Sequence, residues 1–146
     1  DVAFAHNPDY ARGLSASIAT AARAAPTDAD AVIVLLGDMP GVTSAHIDRL
    51  IAAFNPVEGR AICVPTRGGK RGNPVLWDRR FLPDMTGLAG DVGAKPLIGQ
   101  NEDVVVEVEM DDAAVLRDID TPEALALIRA ESEIETESGT EAGAEA

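Results

Sequence analysis

The sequence predicts an α/β domain with a mostly parallel sheet flanked by helices. Short apolar runs bounded by glycine or proline, of which residues 31–37 (AVIVLLG) are the clearest, indicate strands that are buried on both faces. Segments with apolar residues at helical spacing separate these runs, as at residues 13–25 and 44–54. Strands that alternate with helices are typical of parallel sheets built by crossover connections, so this order predicts the fold class.

The predicted helices carry recognisable start and stop signals. The alanine-rich helix at residues 13–25 ends at Pro26. Thr43 or Ser44 can cap the helix over residues 44–54. Near the end of the chain, Thr121 is placed to cap a further helix, with Pro122 at its first position.

The predicted strands also indicate where function should lie. Besides residues 31–36, they are residues 61–66, 73–78 and 104–110. Pro74 predicts a place near an edge of the sheet for the run that contains it, because proline cannot donate to a ladder. In open α/β sheets, ligands bind beyond the carboxyl ends of the strands. Functional residues are therefore expected at Gly37 and Asp38, and at residues 118–120.

Composition excludes several classes of function. The chain has 146 residues, 46% of them hydrophobic, which is enough for one buried core. Its formal charge of −13 argues against nonspecific nucleic-acid binding, which needs clustered lysine and arginine. No apolar run approaches the roughly 20 residues of a membrane span, and no signal-peptide pattern is present, so we expect a cytoplasmic protein without a membrane partner. A single cysteine, Cys63, excludes an intrachain disulfide.

Charge divides the chain into two parts. Residues 131–146 contain six glutamates and no basic residue, with serine, glycine and alanine making up most of the rest. This composition is typical of disorder. We therefore expect a folded portion over residues 1–130 and an acidic disordered tail over residues 131–146.

Asp38 is the first candidate for chemistry. A carboxylate at the carboxyl end of a buried strand is well placed to hold Mg²⁺, a hard cation that prefers oxygen ligands and substrate phosphates. The alternative is a turn, since aspartate and proline are both common turn residues. The pattern alone leaves both open.

Asp118 and Asp120 form a second candidate pair. In an extended segment they point the same way, with Ile119 turned to the core. Either can ligate a metal while the other caps the following helix. The alternative is that both simply favour the positive end of that helix.

Two further segments have weaker signals. Gly13, Ser15 and Ser17 lie at a helix start, where backbone N–H groups can receive an anion or a base edge, although serine is also a routine cap. The loop RGGKRG (residues 67–72) is basic in an acidic chain. It can meet substrate phosphates or be a solvated hairpin. Lys95, near another helix start, can face an anion or water.

Five motifs in order, GLSASI, VLLGDMPGVT, RGNPVLWDRRFLPDM, GDVGAK and DIDTPEAL, resemble those of the MobA-like nucleotidyltransferases. The resemblance covers about residues 8–130 and is strongest to the molybdenum cofactor cytidylyltransferase branch. It implies a Rossmann-like nucleotidyltransferase fold. It also implies Mg²⁺-dependent transfer of CMP from CTP to the molybdenum-carrying molybdopterin cofactor, with release of pyrophosphate and a possible molybdoenzyme partner.

The resemblance also assigns roles to individual residues. Asp38 and Asp120 match the two metal-binding, catalytic positions. The residues that match the nucleotide side are Gly13, Ser15 and Gly37. Those that match the acceptor side are Gly72, Asn73, Asp91 and Gly93.

One family element is missing from this sequence. The glycine-rich loop LAAGxSxRMG, which cradles the triphosphate in the family, is absent. The resemblance therefore implies an N-terminally truncated fold that lacks the first βα unit. Three alternatives stay open: a GTP-dependent guanylyl transferase, transfer to another phosphorylated acceptor, and a noncatalytic chaperone or regulatory module that binds the cofactor.

Overall fold

A computed structural model describes the backbone of residues 2–141 and the side chains of residues 2–131. The helices are α1 (Leu14–Ala24), α2 (Ser44–Ala53), α3 (Leu82–Met85), α4 (Lys95–Gln100) and α5 (Pro122–Glu141). The strands are β1 (Ala31–Val34), β2 (Ile62–Arg67), β3 (Lys70–Arg71), β4 (Val75–Asp78) and β5 (Val105–Glu109). The α/β class, with a central sheet flanked by helices, is thereby confirmed.

The direction of the strands differs from the prediction. The sheet runs β1–β4–β2, with β5 on the other side of β2 and β3 continuing the β2 hairpin. The β2–β5 pairing is parallel, whereas β1–β4, β2–β4 and β2–β3 are antiparallel. The prediction of a mostly parallel sheet was therefore wrong. The short turn between β2 and β3 reverses the chain and β4 keeps the direction of β3, whereas the longer connection through α2 returns β2 in the direction of β1.

This topology nevertheless brings three strand ends to one edge. Because β1 and β2 are each antiparallel to β4, they run in the same direction as each other, and β5 runs with them. The carboxyl ends of β1, β2 and β5 and the start of β4 therefore share one edge of the sheet. This edge carries the segments that sequence analysis singled out.

The sheet separates two apolar layers. One contains Ile18 of α1, Trp77 of β4 and Met85 of α3. The other contains Leu50 of α2, with Cys63 and Met110. Alternate residues of β1, β2 and β4 face opposite layers, as the pleat requires. The central strands β2 and β4 are mainly apolar because both of their faces are covered.

Pro74 does not mark an edge strand. β4, which begins at Val75, lies between β1 and β2. Pro74 precedes the strand, so its missing N–H removes no ladder hydrogen bond. The Asn73–Pro74 peptide bond is cis. The edge prediction was wrong because the proline terminates the loop instead of occupying the ladder.

The helix caps follow the sequence signals. A capping box begins α2. The side chain of Thr43 accepts the backbone N–H of His46, and His46 Nδ1 accepts the backbone N–H of Thr43 at 3.0 Å. Thr121 Oγ1 accepts the backbone N–H of Ala124 at 3.2 Å. α5 extends to Glu141, through part of the segment predicted to be a tail, and residues 142–146 lie outside the described residues. The domain division at residue 130 stays a prediction.

Two observations concern surfaces. Within the described residues, β1 pairs with β4 alone, and the apolar groove between β1 and α1 has a volume of about 510 Å³. None of the helices in the described part of the chain is both long and apolar enough to cross a membrane.

Candidate functional site

Three carboxylates meet at the shared edge of the sheet. Asp38, Asp118 and Asp120 each offer an oxygen within 4.8 Å of the oxygens offered by the other two. Asp38 is half-buried, and the other two are exposed. The structure thus joins residues that are about eighty positions apart in the chain, including both predicted metal ligands.

Backbone geometry holds these carboxylates together. Asp38 follows β1, and Asp118 and Asp120 follow β5 by way of the loop over residues 110–117. The N–H of Ile119 donates to the carbonyl oxygen of Asp38 at 2.8 Å, which ties the two segments directly. Ile119 is half-buried between its two exposed neighbours, as the alternation predicted.

The three charges repel one another. The pKa of Asp120 is raised, first by the charge of Asp118, then by desolvation and by the charge of Asp38. Like charges at this distance disfavour the ionised form. A cation bound among them would remove that cost.

The donor set fits a hard divalent cation. It consists of carboxylate oxygens with no nitrogen or sulfur ligand, which suits Mg²⁺ or Mn²⁺ better than zinc. Part of the coordination sphere would remain for water or phosphate oxygens. Asp38, Asp118 and Asp120 are the residues that would hold the ion.

The loop before Asp118 is fixed from two sides. His46 of α2 contacts both carboxylate oxygens of Asp112, at 3.0 and 3.2 Å, and Asp112 also accepts the N–H of Ala114. The hydrogen bonds from Ala114 and His46 help to lower the pKa of Asp112. On the other side, Asn73 N–H donates to the carbonyl oxygen of Val115 at 2.9 Å.

A cleft of about 350 Å³ lies beside the carboxylates. Its polar lining residues include Asn73, Asp91, Lys95 and Asp118. It also contains Gly93, so three of the four predicted acceptor-side residues share one cavity with a member of the carboxylate cluster. A volume in this range suits a small organic ligand.

The predicted nucleotide-side and acceptor-side residues touch each other. Gly13 has φ of +106°, and a Cβ there would lie 2.9 Å from Asp91 Oδ1. The N–H of Leu14 donates to that same oxygen at 3.0 Å. Asp91 therefore binds the start of α1 while bordering the cleft.

Ser15 contacts the loop over residues 90–94. Its hydroxyl is fully buried and donates to the carbonyl oxygen of Gly93 at 3.3 Å, and its N–H donates to Gly90. Direct contact between Ser15 and a nucleotide would require these bonds to open. The structure thus places Ser15, in the first turn of α1, against the 90–94 loop.

Two other predicted glycines differ in their surroundings. Gly37 is exposed, and a Cβ built there would meet no atom within 4 Å. At Gly72 a Cβ would overlap the backbone carbonyl group of Val115. Gly72 permits the close approach of two loops and is not among the residues that line the cleft.

The basic loop forms a hairpin whose arginines are already paired. Arg71 donates to Glu102 and Glu107, each at 2.7 Å, and these hydrogen bonds raise the pKa of Arg71. Arg67 donates to the carbonyl oxygen of Met110 and lies 3.8 Å from Glu109. The hairpin alternative is the one that the structure supports for these two cations.

Three residues that line the cleft are not identified by the sequence pattern as parts of one site. The alternation around Ile119 predicts that Asp118 and Asp120 share a side, yet the family resemblance gives a metal-binding role to Asp120 and not to Asp118. Lys95 also lines the cleft, whereas its sequence pattern indicates only a cation near a helix start. Trp77, which also lines the cleft, gives no functional signal in the sequence, because an aromatic residue in a buried strand is usually core.

Comparison with known proteins identifies the family of most of the chain. Residues 1–104 match the family described as "MobA-like NTP transferase domain". The "Molybdenum cofactor cytidylyltransferase" of Escherichia coli is 30% identical over 84% of this chain and 60% of its own length. The "Purine catabolism protein PucB" of Bacillus subtilis is 28% identical over 83% of this chain and 58% of its own. The chain thus spans about three fifths of these curated relatives.

Solved structures share the fold. The homologue of Mycobacterium tuberculosis Rv0371c from Mycobacterium sp. strain JC1 has a TM-score of 0.66 at 28% identity, covering 79% of this chain and 56% of its own. Rv0371c itself, solved in complex with manganese, has a TM-score of 0.63 at 25% identity, covering 75% and 58%. The family match covers well over half of the sequence. The chain belongs to the MobA-like NTP transferase family.

Proposed function

We propose that the intact protein transfers CMP from CTP to a molybdopterin-type acceptor, releases pyrophosphate and uses Mg²⁺. One observation carries this proposal: the carboxylates of Asp38, Asp118 and Asp120 lie together at a sheet edge and adjoin a ligand-sized cleft. Metal-assisted phosphoryl chemistry needs this combination of oxygen ligands and bounded space.

The choice of nucleotide and acceptor has separate support. The E. coli relative is named for cytidylyl transfer to the molybdenum cofactor and is 30% identical. Other relatives are named for purine catabolism and, in "Nicotine blue oxidoreductase" of Paenarthrobacter nicotinovorans at 26% identity, for oxidation and reduction. The acceptor is therefore the part of the proposal that most needs a direct test.

The reaction balances without a covalent enzyme intermediate. A phosphate oxygen of the acceptor attacks the α-phosphorus of CTP, the new P–O bond forms as the α–β bridge breaks, and the electron pair leaves with pyrophosphate. A divalent cation, when bound, neutralises charge on the phosphates. Asp38, Asp118 and Asp120 would hold and position that cation, and Asn73, which lines the cleft, would orient the acceptor.

The setting follows from the same proposal. A protein that makes a cofactor from CTP would act in the cytoplasm, where nucleotides are available. Its product would pass to a molybdoenzyme. The net charge of −13 favours small-molecule and protein partners over nucleic acid.

Product analysis tests the proposal. The intact protein is incubated with Mg²⁺, molybdenum-loaded molybdopterin and either CTP or GTP, and the products are separated by chromatography while pyrophosphate is measured. We expect a CMP–cofactor product and pyrophosphate with CTP, and much less product with GTP. Omission of the acceptor should abolish pyrophosphate release.

The alternatives give different results in the same assay. A GMP product would indicate the guanylyl branch, and turnover only with another phosphorylated acceptor would change the substrate. If calorimetry detects no binding of Mg-CTP to the intact protein, the noncatalytic cofactor-binding module is favoured instead.

A further inference from the structure

We propose that His46 is a positioning residue for the carboxylate cluster, because its ring bridges the segment after Asp38 and the segment before Asp118. The inference rests on the proposed function, in which the cluster holds the cation, and it names the groups that set the spacing of the ligands. Thr43, His46 and Asp112 form this connection, which we refer to as the His46 bridge.

The imidazole of His46 makes hydrogen bonds through both of its nitrogens. Nδ1 accepts the backbone N–H of Thr43 at 3.0 Å, within the capping box that begins α2. Because Nδ1 accepts, the ring proton lies on Nε2, which donates to the carboxylate of Asp112 at 3.0 Å. The side chain of His46 is only 8% exposed, so packing and two opposite partners fix the orientation of the ring.

One end of the bridge anchors the turn that begins at Asp38. This turn runs directly into Thr43, the cap of α2. Backbone hydrogen bonds within it, from Met39 to Leu36 and from Val42 to Met39, measure 3.4 and 3.2 Å, at or beyond the long end of the usual range. The cap therefore contributes strongly to the position of the turn.

The other end of the bridge anchors the loop that leads to Asp118 and Asp120. Asp112 lies in this loop, and its carboxylate also accepts the N–H of Ala114 at 2.8 Å. The pKa of Asp112 is lowered, first by the hydrogen bond from Ala114 and also by the one from His46. Both bonds therefore favour the ionised carboxylate, which is the stronger acceptor.

The turn and the loop also touch each other between the bridge and the carboxylates. A Cβ built at Gly41 would lie 3.2 Å from the Cβ of Ala114. Nearer the cluster, the N–H of Ile119 donates to the carbonyl oxygen of Asp38 at 2.8 Å. Loss of the bridge should let the two segments separate and spread the carboxylates. Ligands that are already in place bind a cation more tightly than ligands that must first be ordered.

Matched substitutions separate the bridge from the helix cap. His46→Gln keeps both contacts, because its amide oxygen can accept the N–H of Thr43 while its NH₂ group donates to Asp112. His46→Glu keeps the capping box but, when ionised, cannot donate to Asp112 and repels it. Asp112→Ala breaks the bridge and leaves the cap. The control Arg49→Gln breaks the exposed Arg49–Asp111 ion pair, which joins the same helix to the same loop.

Titration of the intact protein with Mn²⁺ at pH 8, followed by electron paramagnetic resonance, measures the effect on the site. His46→Glu and Asp112→Ala should each weaken Mn²⁺ binding about tenfold, as for groups that orient metal ligands. The carboxylate added in His46→Glu would by itself attract a cation, so weaker binding reports displaced ligands. His46→Gln and Arg49→Gln should bind Mn²⁺ like the wild type.

Amide hydrogen exchange without metal gives a second readout. The exchange rate of the Ile119 amide, which donates to Asp38, is divided by that of Leu50, a fully buried residue of α2. A general loss of stability accelerates both amides, whereas separation of the two segments accelerates Ile119 alone. This ratio should rise about tenfold in His46→Glu and Asp112→Ala, since local opening becomes easier. It should stay at the wild-type value in His46→Gln and Arg49→Gln.

The outcomes distinguish the bridge from the proposed function. The positioning role is overturned if both bridge-breaking variants keep the wild-type exchange ratio, or if they bind Mn²⁺ as tightly as a wild type that holds the ion. Equal behaviour of His46→Gln and His46→Glu would overturn it as well. If the wild type holds no Mn²⁺ while the exchange ratio responds as expected, the metal site and the proposed function fail and the positioning of the two segments stands.

Discussion

Replacement of Asp38 by alanine should lower the rate of nucleotidyl transfer by the intact protein about 100-fold, because a metal ion contributes several kcal/mol to such reactions and tenfold corresponds to about 1.4 kcal/mol. The fold should survive. Asp38 lies in the loop after β1, which ends at Val34, and its carboxylate belongs to the three-carboxylate cluster. The measurement is kcat at saturating CTP and acceptor over a range of Mg²⁺ concentrations.

Stability distinguishes loss of a ligand from loss of the fold. Without metal, Asp38→Ala should unfold at the same temperature as the wild type or slightly above it, since one of the charges that raises the pKa of Asp120 is removed. Asp28→Ala is the matched control, because Asp28 is exposed and precedes the opposite end of β1. Wild-type turnover in Asp38→Ala would contradict the metal assignment.

Replacement of Gly72 by alanine should destabilise the protein by about 3 kcal/mol, an effect at the upper end of the range for a forced steric overlap. A Cβ at this position would overlap the carbonyl group of Val115, while the N–H of Gly72 already donates to Pro65 at 2.8 Å. One of the two loops would have to move. Urea denaturation measures the loss.

The control for this change is another glycine. Gly99 lies in α4, and a Cβ there would meet no atom within 4 Å. Gly99→Ala should therefore be as stable as the wild type or more stable, since alanine favours a helix over glycine by about 0.5–1 kcal/mol. If Gly72→Ala unfolds within 0.5 kcal/mol of the wild type, the close packing of the two loops is contradicted.

Local patterns predicted the elements well because their causes are local. The apolar run that becomes β1, the stripe that becomes α2 and the cap at Thr43 all depend on neighbours within a few residues. The α/β class followed from their order. Asp38 was located for the same reason, since the end of a buried run is visible in the sequence.

Long-range pairing was not visible in the same way. The direction of β4 depends on the short turn between β2 and β3, which reverses the chain, and its central position depends on pairing with both β1 and β2. The place of Ser15 depends on a carbonyl group of Gly93, far along the chain. The burial of Trp77 against Phe81 is likewise a property of packing, and no residue pattern predicts it.

The carboxylate cluster illustrates both cases. The alternation of Asp118 and Asp120 around Ile119 predicted that the two share a side. That all three aspartates meet depends on the parallel directions of β1 and β5 and on the hydrogen bond from Ile119 to Asp38. The family resemblance supplied a reason to expect the meeting, and the sheet topology explains it physically.

Direct titration of Mn²⁺ tests the central claim, that these three carboxylates form one metal site. Electron paramagnetic resonance on the intact protein with a nonhydrolysable CTP analogue should detect one tightly held ion. We expect the affinity for Mn²⁺ to fall at least about tenfold in each of Asp38→Asn, Asp118→Asn and Asp120→Asn, since each change removes an anionic oxygen ligand. The control variant Asp28→Asn should bind Mn²⁺ like the wild type. Equal affinity in all four variants, or no bound ion in the wild type, would contradict the account.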